Sequence, residues 1–442
     1  MMYHAYQSHS DLLWPLRTTA RLAAPALLAP GLAGFSGMPG LAGMPGLSGL
    51  SGLSSLSGLS SLADHASQAS KRVAAACRLV ELTEVTHRRP AWGIHTVTVA
   101  GPGGPEVVQV VEESVLETPF ATLRRFRKSG LPGSAVQPRV LVVAPMSGHF
   151  ATLLRDTVRT LLRDHDVHVT DWHNVRDVPL AEGRFGLDEY IEHLMQFMRA
   201  LGEGCHVVAV CQPCVAAFAA TALMAEDEDP AVPASLTLMA GPMDCRIAPT
   251  AVNKLATERP IDWFERHLIS TVPWRHRGAG RRVYPGFVQL TAFMSMNRER
   301  HLTAFSDYYW NVVDDEHDKA EATRAFYEEY LAVADLDADF YLETVRLVFQ
   351  EYALPLGQLR FRGRAIEPKA IRRTALLTVE GERDDICSVG QTMAAHDMAS
   401  SLRPYLRTNY LQAGVGHYGV FSGKRWQNSI YPVVRDVIHV SQ

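Results

Sequence analysis

Apolar and polar positions alternate at the start of the regular part of the chain. Residues 94–100 and 107–111 are alternating or apolar stretches that flank a Gly-Pro-Gly-Gly-Pro sequence. Because two such stretches on either side of a Gly/Pro turn pair with each other, they predict a β-hairpin. Residues 119–127 have the composition of a further strand that follows it.

Farther along the chain, short continuous apolar runs alternate with amphipathic stretches. Residues 151–163 and 187–200 have helical periodicity. Apolar runs without alternation are typical of strands that are buried on both faces of a parallel sheet. The pattern therefore predicts an α/β-hydrolase core, in which an antiparallel start leads into strand–helix units. The predicted parallel strands are residues 139–144, 166–170, 206–210, 236–240, 375–379 and 408–411.

Two segments interrupt this alternation. Residues 246–370 are rich in aromatic residues and lack convincing parallel strands. This pattern predicts a helical cap or lid that covers an active site. The alternative is a helical layer with its own core. Residues 31–62 repeat Gly, Leu, Ser and Met, which favours a flexible linker; the alternative is a weak adhesive for a hydrophobic surface. The predicted organisation is an N-terminal helical segment (1–30), a low-complexity linker (31–63), the first part of the core (64–245), the cap or lid (246–370) and the second part of the core (371–442).

Composition and charge exclude several classes of protein. The 442 residues are 47% hydrophobic with a formal net charge of −4, so the chain lacks the basic surface typical of nucleic-acid binding. Six cysteines in a chain of this length are too few for a fold held by disulfides. This number of cysteines fits a protein of a reducing compartment. No apolar segment of about 18 residues runs without interruption, which argues against a membrane span. Pro25 breaks the apolar run 22–28, so we do not expect a secretory signal.

Cys211 lies between a predicted strand, residues 206–210, and an Ala-rich helical run. A strand that turns sharply into a helix exposes its turn residue and directs the N–H groups and positive dipole end of the helix towards it. A thiolate is favoured in such a place, and thiolates are the nucleophilic form of cysteine. The sequence therefore predicts a nucleophile elbow with sulfur in place of the usual serine oxygen.

A nucleophilic cysteine needs a histidine as base and a carboxylate that orients the histidine. In α/β-hydrolases the acid and then the histidine follow the nucleophile along the chain. Asp384, in the loop after the strand at 375–379, is the predicted acid, and Asp385 is the alternative. His417 follows the last strand between two glycines and is the predicted base.

An oxyanion hole is predicted from two backbone segments. One N–H donor is that of Gln212, directly after the nucleophile. The second comes from Met146 or Ser147, in the loop after the strand at 139–144. His149 in the same loop is a candidate substrate contact, and a structural role for it is the alternative.

Six sequence blocks are distinctive: Val143-Ala-Pro-Met-Ser-Gly-His-Phe, Asp171-Trp, Val210-Cys-Gln-Pro-Cys, Tyr284-Pro-Gly-Phe, Val379-Glu-Gly-Glu-Arg-Asp-Asp-Ile and Gly416-His-Tyr-Gly-Val-Phe-Ser-Gly. Together these blocks resemble the intracellular polyhydroxyalkanoate (polyhydroxybutyrate, PHB) depolymerases. The resemblance covers most of the chain from Tyr6-Gln7 onward and leaves out the Gly/Leu/Ser/Met block.

The resemblance implies a cysteine–aspartate–histidine triad of Cys211, Asp384 and His417 on an α/β-hydrolase fold. It implies hydrolysis of amorphous PHB inside the cell to 3-hydroxybutyrate and oligomers, without a metal or an organic cofactor. The implied partners are the polymer and its oligomers at the granule surface, with coenzyme A as an alternative acceptor. The implied location is cytoplasmic, at polyhydroxyalkanoate granules.

Three other functions remain as hypotheses. A polyhydroxyalkanoate synthase-like acyltransferase uses the same chemistry, but synthases have a Gly-x-Cys-x-Gly setting where this chain has Ala209 and Pro213. A redox pair or half of a metal site is the second, because Cys211 and Cys214 form a single CxxC. A non-catalytic granule-associated protein is the third.

Overall fold

The computed structural model describes residues 2–28, 56–101, 103–131 and 137–442. The chain divides into two compact units: Met1–Thr86 with Leu290–Leu331, and His87–Gln289 with Ala332–Gln442. Most of the predicted linker over 31–63, and with it the hypothetical adhesive segment, lies outside the described residues. The end of that linker is helical, because a helix begins at Leu56.

The described part of the chain contains fourteen strands in three sheets. Numbered along the chain, the strands are β1 (Thr96–Gly101), β2 (Gly104–Glu117), β3 (Ala121–Ser129), β4 (Arg139–Val143), β5 (Asp166–Trp172), β6 (His206–Val210), β7 (Ser235–Met239), β8 (Ser270–Thr271), β9 (Arg282–Tyr284), β10 (Leu336–Asp337), β11 (Arg360–Phe361), β12 (Arg364–Ala365), β13 (Ala375–Gly381) and β14 (Arg407–Gln412). Nine of these strands form the main sheet of the second unit, in the order β1-β2-β3-β5-β4-β6-β7-β13-β14.

The pairing of the strands explains their hydrophobic patterns. The predicted hairpin is confirmed, since β1 and β2 pair antiparallel with Thr96 opposite Gln109. Strands β5, β4, β6, β7, β13 and β14 are parallel neighbours, and every residue of β6 and β7 is buried. Strands covered on both faces need apolar residues at consecutive positions, which is the pattern that the sequence shows. The α/β-hydrolase fold predicted from the sequence is therefore confirmed.

Helices cover the sheet and build the first unit. The helices are α1 (Met2–Leu28), α2 (Leu56–Leu82), α3 (Arg155–Leu161), α4 (Leu187–Leu201), α5 (Cys214–Glu226), α6 (Ala251–Glu258), α7 (Ile261–Leu268), α8 (Gly286–Met296), α9 (Arg298–Val313), α10 (His317–Tyr330), α11 (Ala338–Thr344), α12 (Ala395–Met398), α13 (Gly423–Arg425) and α14 (Tyr431–Val440). Helix α4 buries Tyr190, Ile191, Leu194 and Met198 at helical spacing, whereas α5 is buried on all sides. Two π-helical stretches are Val345–Gln350 and Trp426–Ile430.

The first unit is helical in its described residues. Helix α1 packs on α2, α2 on α9, and α9 on α10. Small side chains permit the α1–α2 approach, because Ala20, Ala24, Ala74 and Ala75 are all buried. Helices α9 and α10 belong to the segment 246–370, for which the sequence predicts a cap or lid; the structure groups residues 290–331 with the N-terminal residues. The rest of that segment contains helices and the short antiparallel strands β8 to β12, and its role as a cap remains a prediction.

The fold brings four chain segments to one edge of the main sheet. Parallel strands β4, β6, β13 and β14 end at the same edge, and the loops that follow them carry the predicted site residues. The loop after β4 holds Met146 to His149, and Cys211 follows β6 directly. Asp384 follows β13, and His417 follows β14. Cys211 and His417, which lie 206 positions apart in the sequence, therefore interact in the structure.

The opposite edge of the sheet contains buried histidines that predict loss of stability in acid. Burial lowers the pKa of both His165 and His206 to about 4. Because the folded state binds these protons less readily than the unfolded state, stability is present above pH 6.5 and falls as the pH drops from 6.5 to 4. We expect a loss of up to about 3 kcal/mol per histidine by pH 4.

Urea unfolding of the wild type at pH 7 and pH 4.5 measures this loss. His206→Gln removes one titrating group and should make the free energy of unfolding less dependent on pH. A wild-type free energy of unfolding that does not change over this interval would contradict the prediction.

Candidate active site

Cys211 occupies the tight turn between β6 and α5. Its backbone N–H donates to the Met239 carbonyl at 2.7 Å, and its own carbonyl accepts from the Cys214 N–H at 3.1 Å. Its φ of +68° lies in the left-handed region, which costs a residue with a side chain about 1–3 kcal/mol. Backbone strain of this kind is concentrated at active sites, and the elbow of an α/β-hydrolase places its nucleophile in such a strained turn. Cys211 is half-buried, so the protein does not enclose it completely.

The glycine that allows the elbow to pack lies just after the neighbouring strand β7. A Cβ atom at Gly241, just after β7, would lie 2.2 Å from the Cys214 Cβ and 3.1 Å from the Cys211 carbonyl oxygen. Ala209 and Pro213 replace the glycines of the synthase-type sequence without strain, since Ala209 is an ordinary strand residue and Pro213 has φ −65°. The sharp turn therefore forms without glycine on either side of Cys211.

His417 and Asp384 form a buried hydrogen-bonded pair. The His417 Nδ1 and the Asp384 Oδ2 lie 2.8 Å apart, and both side chains are almost completely buried. The other carboxylate oxygen, Oδ1, accepts from the backbone N–H groups of Ile386 at 2.9 Å and Cys387 at 2.8 Å. With both oxygens bonded, the carboxylate is fixed in position and holds the imidazole with Nε2 directed away from it. Asp385, the alternative acid, is exposed.

Electrostatic interactions favour the protonated form of His417. Burial alone would lower the pKa of this imidazole. The charges of Cys211 and Asp384, and side-chain hydrogen bonds to both, outweigh burial and raise the pKa of His417 well above its ordinary value. The histidine thus interacts with the thiol on one side and with the carboxylate on the other, which is the arrangement required for proton transfer to and from Cys211.

The predicted oxyanion donors lie in well-fixed backbone. Within the described residues, the N–H groups of Gln212, Met146 and Ser147 donate to no other group. The loop of Met146 and Ser147 is held because the Gly148 carbonyl accepts from the Ala334 N–H at 2.9 Å. A Cβ atom at Gly148, which has φ +89°, would lie 2.9 Å from the Gln289 Cγ, so the loop packs closely on this side chain. These N–H groups remain available to an anionic oxygen.

His149 is buried and pairs with the segment that follows α10. It pairs with Val333 in an isolated β-bridge, and 5% of its surface is exposed. The backbone pairing gives His149 a structural role. A contact between its side chain and substrate stays a prediction.

Sequence reasoning missed a buried network that supports the acid loop. Glu380, at the end of β13, accepts through Oε1 from the N–H groups of Gly390, Thr392 and Met393 at 2.8–3.1 Å. The Thr392 hydroxyl accepts from the Gly241 N–H at 2.9 Å and donates to the Gly241 carbonyl at 3.0 Å. The network thus connects the acid loop to the glycine that packs against the elbow. The sequence contains four carboxylates within residues 380–385, and the bonds to three backbone N–H groups distinguish Glu380 from the other three.

The geometry does not favour a redox pair at the CxxC sequence. Cys214 is completely buried, and its Sγ donates towards the carbonyls of Ala209 at 3.4 Å and Met239 at 3.7 Å. Burial and the nearby charge of Cys211 raise the pKa of Cys214 well above its ordinary value. Such a thiol rarely forms the thiolate that disulfide exchange requires.

Two further features bear on ligands and location. In the part of the chain that the structure describes, no three or more His, Cys, Asp or Glu side chains are grouped so that they could hold a metal ion. No helix among the described residues is long and apolar enough to cross a membrane.

Comparison with known proteins identifies one family. Residues 240–442 match the family model described as "PHB de-polymerase C-terminus". No curated protein matches the chain.

Solved structures resemble the chain at low sequence identity. A putative lipase from Acinetobacter baumannii AYE is 14% identical over 75% of this chain and 93% of the lipase, with a TM-score of 0.41. A 2-hydroxy-6-oxo-6-phenylhexa-2,4-dienoate hydrolase from Rhodococcus sp. strain RHA1 is 13% identical over 75% of this chain and 99% of the hydrolase, with a TM-score of 0.40. An esterase from Thermogutta terrifontis is 12% identical over 77% of this chain and 98% of the esterase, with a TM-score of 0.39. Because these TM-scores are low, the fold assignment rests on the strand order and on the turn at Cys211.

Proposed function

Since residues 240–442 of this chain belong to the PHB depolymerase family, we propose that the protein hydrolyses the ester bonds of amorphous poly(3-hydroxybutyrate). The products are 3-hydroxybutyrate and its oligomers. The observation that carries the proposal is the placement of Cys211, His417 and the buried Asp384 at one edge of the sheet, with Asp384 bonded to His417. The proposed site of action is the surface of polyhydroxyalkanoate granules in the cytoplasm.

The proposed first half-reaction forms an acyl-thioester on Cys211. His417 takes the thiol proton, and the Cys211 Sγ attacks the ester carbonyl carbon. The oxygen of that carbonyl becomes an oxyanion, which accepts hydrogen bonds from the N–H of Gln212 and that of Met146 or Ser147. As the C–O bond breaks, the His417 imidazolium gives its proton to the departing alcohol end of the polymer.

The second half-reaction releases the acid. His417 takes a proton from a water molecule, and the resulting hydroxide attacks the thioester carbonyl. The C–S bond breaks, and the proton on His417 returns to the Cys211 thiolate. Asp384 keeps the imidazole in one orientation and stabilises its cationic form in both halves.

Purified protein incubated with native amorphous granules tests this function. We expect loss of turbidity and release of 3-hydroxybutyrate and oligomers, identified by mass, without added coenzyme A. Products that carry coenzyme A, formed only when it is added, would show thiolysis instead. Polymer growth from hydroxybutyryl-coenzyme A would identify a synthase, and granule binding without any product would identify a non-catalytic granule protein.

A further inference from the structure

Trp274 exposes its indole to solvent. The side chain is 88% exposed, and within the described residues it makes no hydrogen bond and no ring contact. A single exposed apolar side chain is common on protein surfaces, so exposure alone does not indicate a function. The loop that carries Trp274, the groups around it and its position in the fold provide the further evidence.

The loop that carries Trp274 has a fixed backbone. Residues 272–281 connect β8 and β9, which pair antiparallel, so they form the loop of a hairpin. The His276 N–H donates to the Pro273 carbonyl at 3.2 Å, which closes a turn around Trp274. The backbone therefore holds the indole at the surface.

Arg281 fastens this hairpin to the loop that follows β5. The side chain is 2% exposed, and its guanidinium donates to three carbonyls within residues 178–183 at 2.6–3.2 Å. It also donates to the Asp337 Oδ2 at 3.0 Å. The hairpin cannot move away from the loop after β5 without leaving this buried charge without its partners, which is strongly unfavourable.

Close backbone packing adds to this connection. The Gly278 N–H donates to the Arg176 carbonyl at 2.8 Å, and a Cβ atom at Gly278 would lie 2.6 Å from the same oxygen. A Cβ atom at Gly280 would lie 3.8 Å from the Leu180 Cδ2, and Leu180 is 57% exposed. Each of the two loops thus carries an exposed apolar side chain, and the loops are held together.

The two loops are connected to the edge of the sheet that carries Cys211. Strand β5 is parallel to β4, so the loop after β5 leaves the sheet at the same edge as the loops after β4 and β6. We call residues 176–183 and 272–281 together the Trp274 platform. A polymer surface that supplies ester bonds to Cys211 has to approach this edge of the sheet.

The polar groups of the platform favour a partner that offers hydrogen-bond acceptors. The platform contains four arginines and two carboxylates: Arg176, Arg275, Arg277, Arg281, Asp177 and Glu182. Guanidinium and indole groups carry donors and no acceptor. A polyester has acceptor oxygens along its whole backbone and a carboxylate at one end, and the rest of it is methyl, methylene and methine groups. Tryptophan suits such a surface, because its ring has an apolar body and one N–H.

We propose, on the basis of the proposed function, that the Trp274 platform docks the protein on the surface of the amorphous polyester. Trp274 and Leu180 insert among the methyl and methylene groups of the polymer. The exposed Arg277 donates to ester carbonyls or to carboxylate chain ends. The platform holds polymer that stays unreacted, so it keeps the protein at the surface and does not change the chemistry at Cys211. Soluble esters offer no surface and do not use it.

Sedimentation with particles of amorphous poly(3-hydroxybutyrate) tests the platform. Cys211→Ala is the background for the binding measurement, so that the particles are not consumed. In this background Trp274→Ala should lower the partition of the protein onto the particles by about tenfold or more, because tryptophans at the centre of interfaces have effects of this size. Trp274→Phe should retain most of the binding, since it keeps an aromatic ring.

Tyr405→Ala is the matched control. Tyr405 is an aromatic residue that is 73% exposed, but it precedes β14 and so lies at the opposite edge of the sheet. Its replacement should leave the partition unchanged. With Cys211 intact, Trp274→Ala should raise KM for the particles and leave kcat/KM for the soluble p-nitrophenyl ester of 3-hydroxybutyrate at the wild-type value.

The same measurements separate failure of the platform from failure of the proposed function. An unchanged partition in Trp274→Ala, or an equal loss in Tyr405→Ala, overturns the platform while hydrolysis of the particles by the wild type upholds the function. An equal loss of activity on the soluble ester also overturns the docking role. If Trp274→Ala loses binding to phosphatidylglycerol vesicles and keeps binding to the polyester, the partner is a lipid surface and the polyester is excluded. Binding that depends on Trp274, without release of 3-hydroxybutyrate by the wild type, overturns the proposed function and not the platform.

Discussion

Replacing Cys211 by alanine should abolish polyester hydrolysis, with a fall in kcat on the order of 10⁴-fold or more. In the proposed mechanism Cys211 supplies the attacking atom, and neither the proposed oxyanion donors nor His417 can replace the sulfur in the covalent step. The measurement is the rate of turbidity loss of native granules, with product identified by mass.

Two other cysteines provide controls for this substitution. Cys77→Ala changes a half-buried cysteine of α2 and should retain full activity. Cys214→Ala removes the buried neighbour of Cys211 in the CxxC sequence and should retain most activity once folded, because its thiol points towards the carbonyls of Ala209 and Met239. Full activity in Cys211→Ala would exclude the thiol as nucleophile, and equal losses in both CxxC variants would favour a paired role of the two cysteines.

Asp384→Asn should reduce kcat by about 10³–10⁴-fold, whereas Asp385→Asn should leave it unchanged. The Asp384 Oδ2 accepts from the His417 Nδ1, and an amide at this position favours the wrong tautomer of the imidazole. Asp385 is exposed and one residue farther along the loop, so the two variants are matched in chemistry and place. Equal losses in both, or a loss only in Asp385→Asn, would contradict the assignment.

The same variant should alter the pH dependence of kcat/KM. The negative charge of Asp384 and its hydrogen bond contribute to the raised pKa of His417, so removing them lowers that pKa. The proposed mechanism needs the imidazolium as the acid that protonates the departing alcohol, so activity should be lost as the pH rises through the pKa of this group. The alkaline limb of the profile should therefore move to lower pH in Asp384→Asn and stay in place in Asp385→Asn.

The hydrophobic pattern was sufficient for the fold and for the order of the site residues. Continuous apolar runs mark β4 and β6 because both faces of these strands are covered, and the alternation around the Gly/Pro turn marks β1 and β2. The position of Cys211 between a strand and a helix depends only on local sequence, so it could be predicted. The order of nucleophile, acid and base along the chain then selected Asp384 and His417 as candidates.

The choice among chemically similar residues depended on the tertiary structure. Asp384 and Asp385 are adjacent and identical in the sequence, and only burial and the bond to His417 distinguish them. Glu380 belongs to the same acidic run but bonds three backbone N–H groups instead. Local sequence does not contain such information, because it depends on which loops the sheet brings together.

The sequence by itself determined the α/β-hydrolase fold, the position of Cys211 in the turn after β6 and the resemblance to PHB depolymerases. Only the tertiary structure showed how the elbow forms without flanking glycines, since Gly241, just after the neighbouring strand β7, provides the close packing. The structure also groups residues 290–331 with the N-terminal helices. It places the π-helix Val345–Gln350 beside the start of α5. Periodicity and turn chemistry act between residues close in sequence, whereas these arrangements depend on contacts between segments that are far apart along the chain.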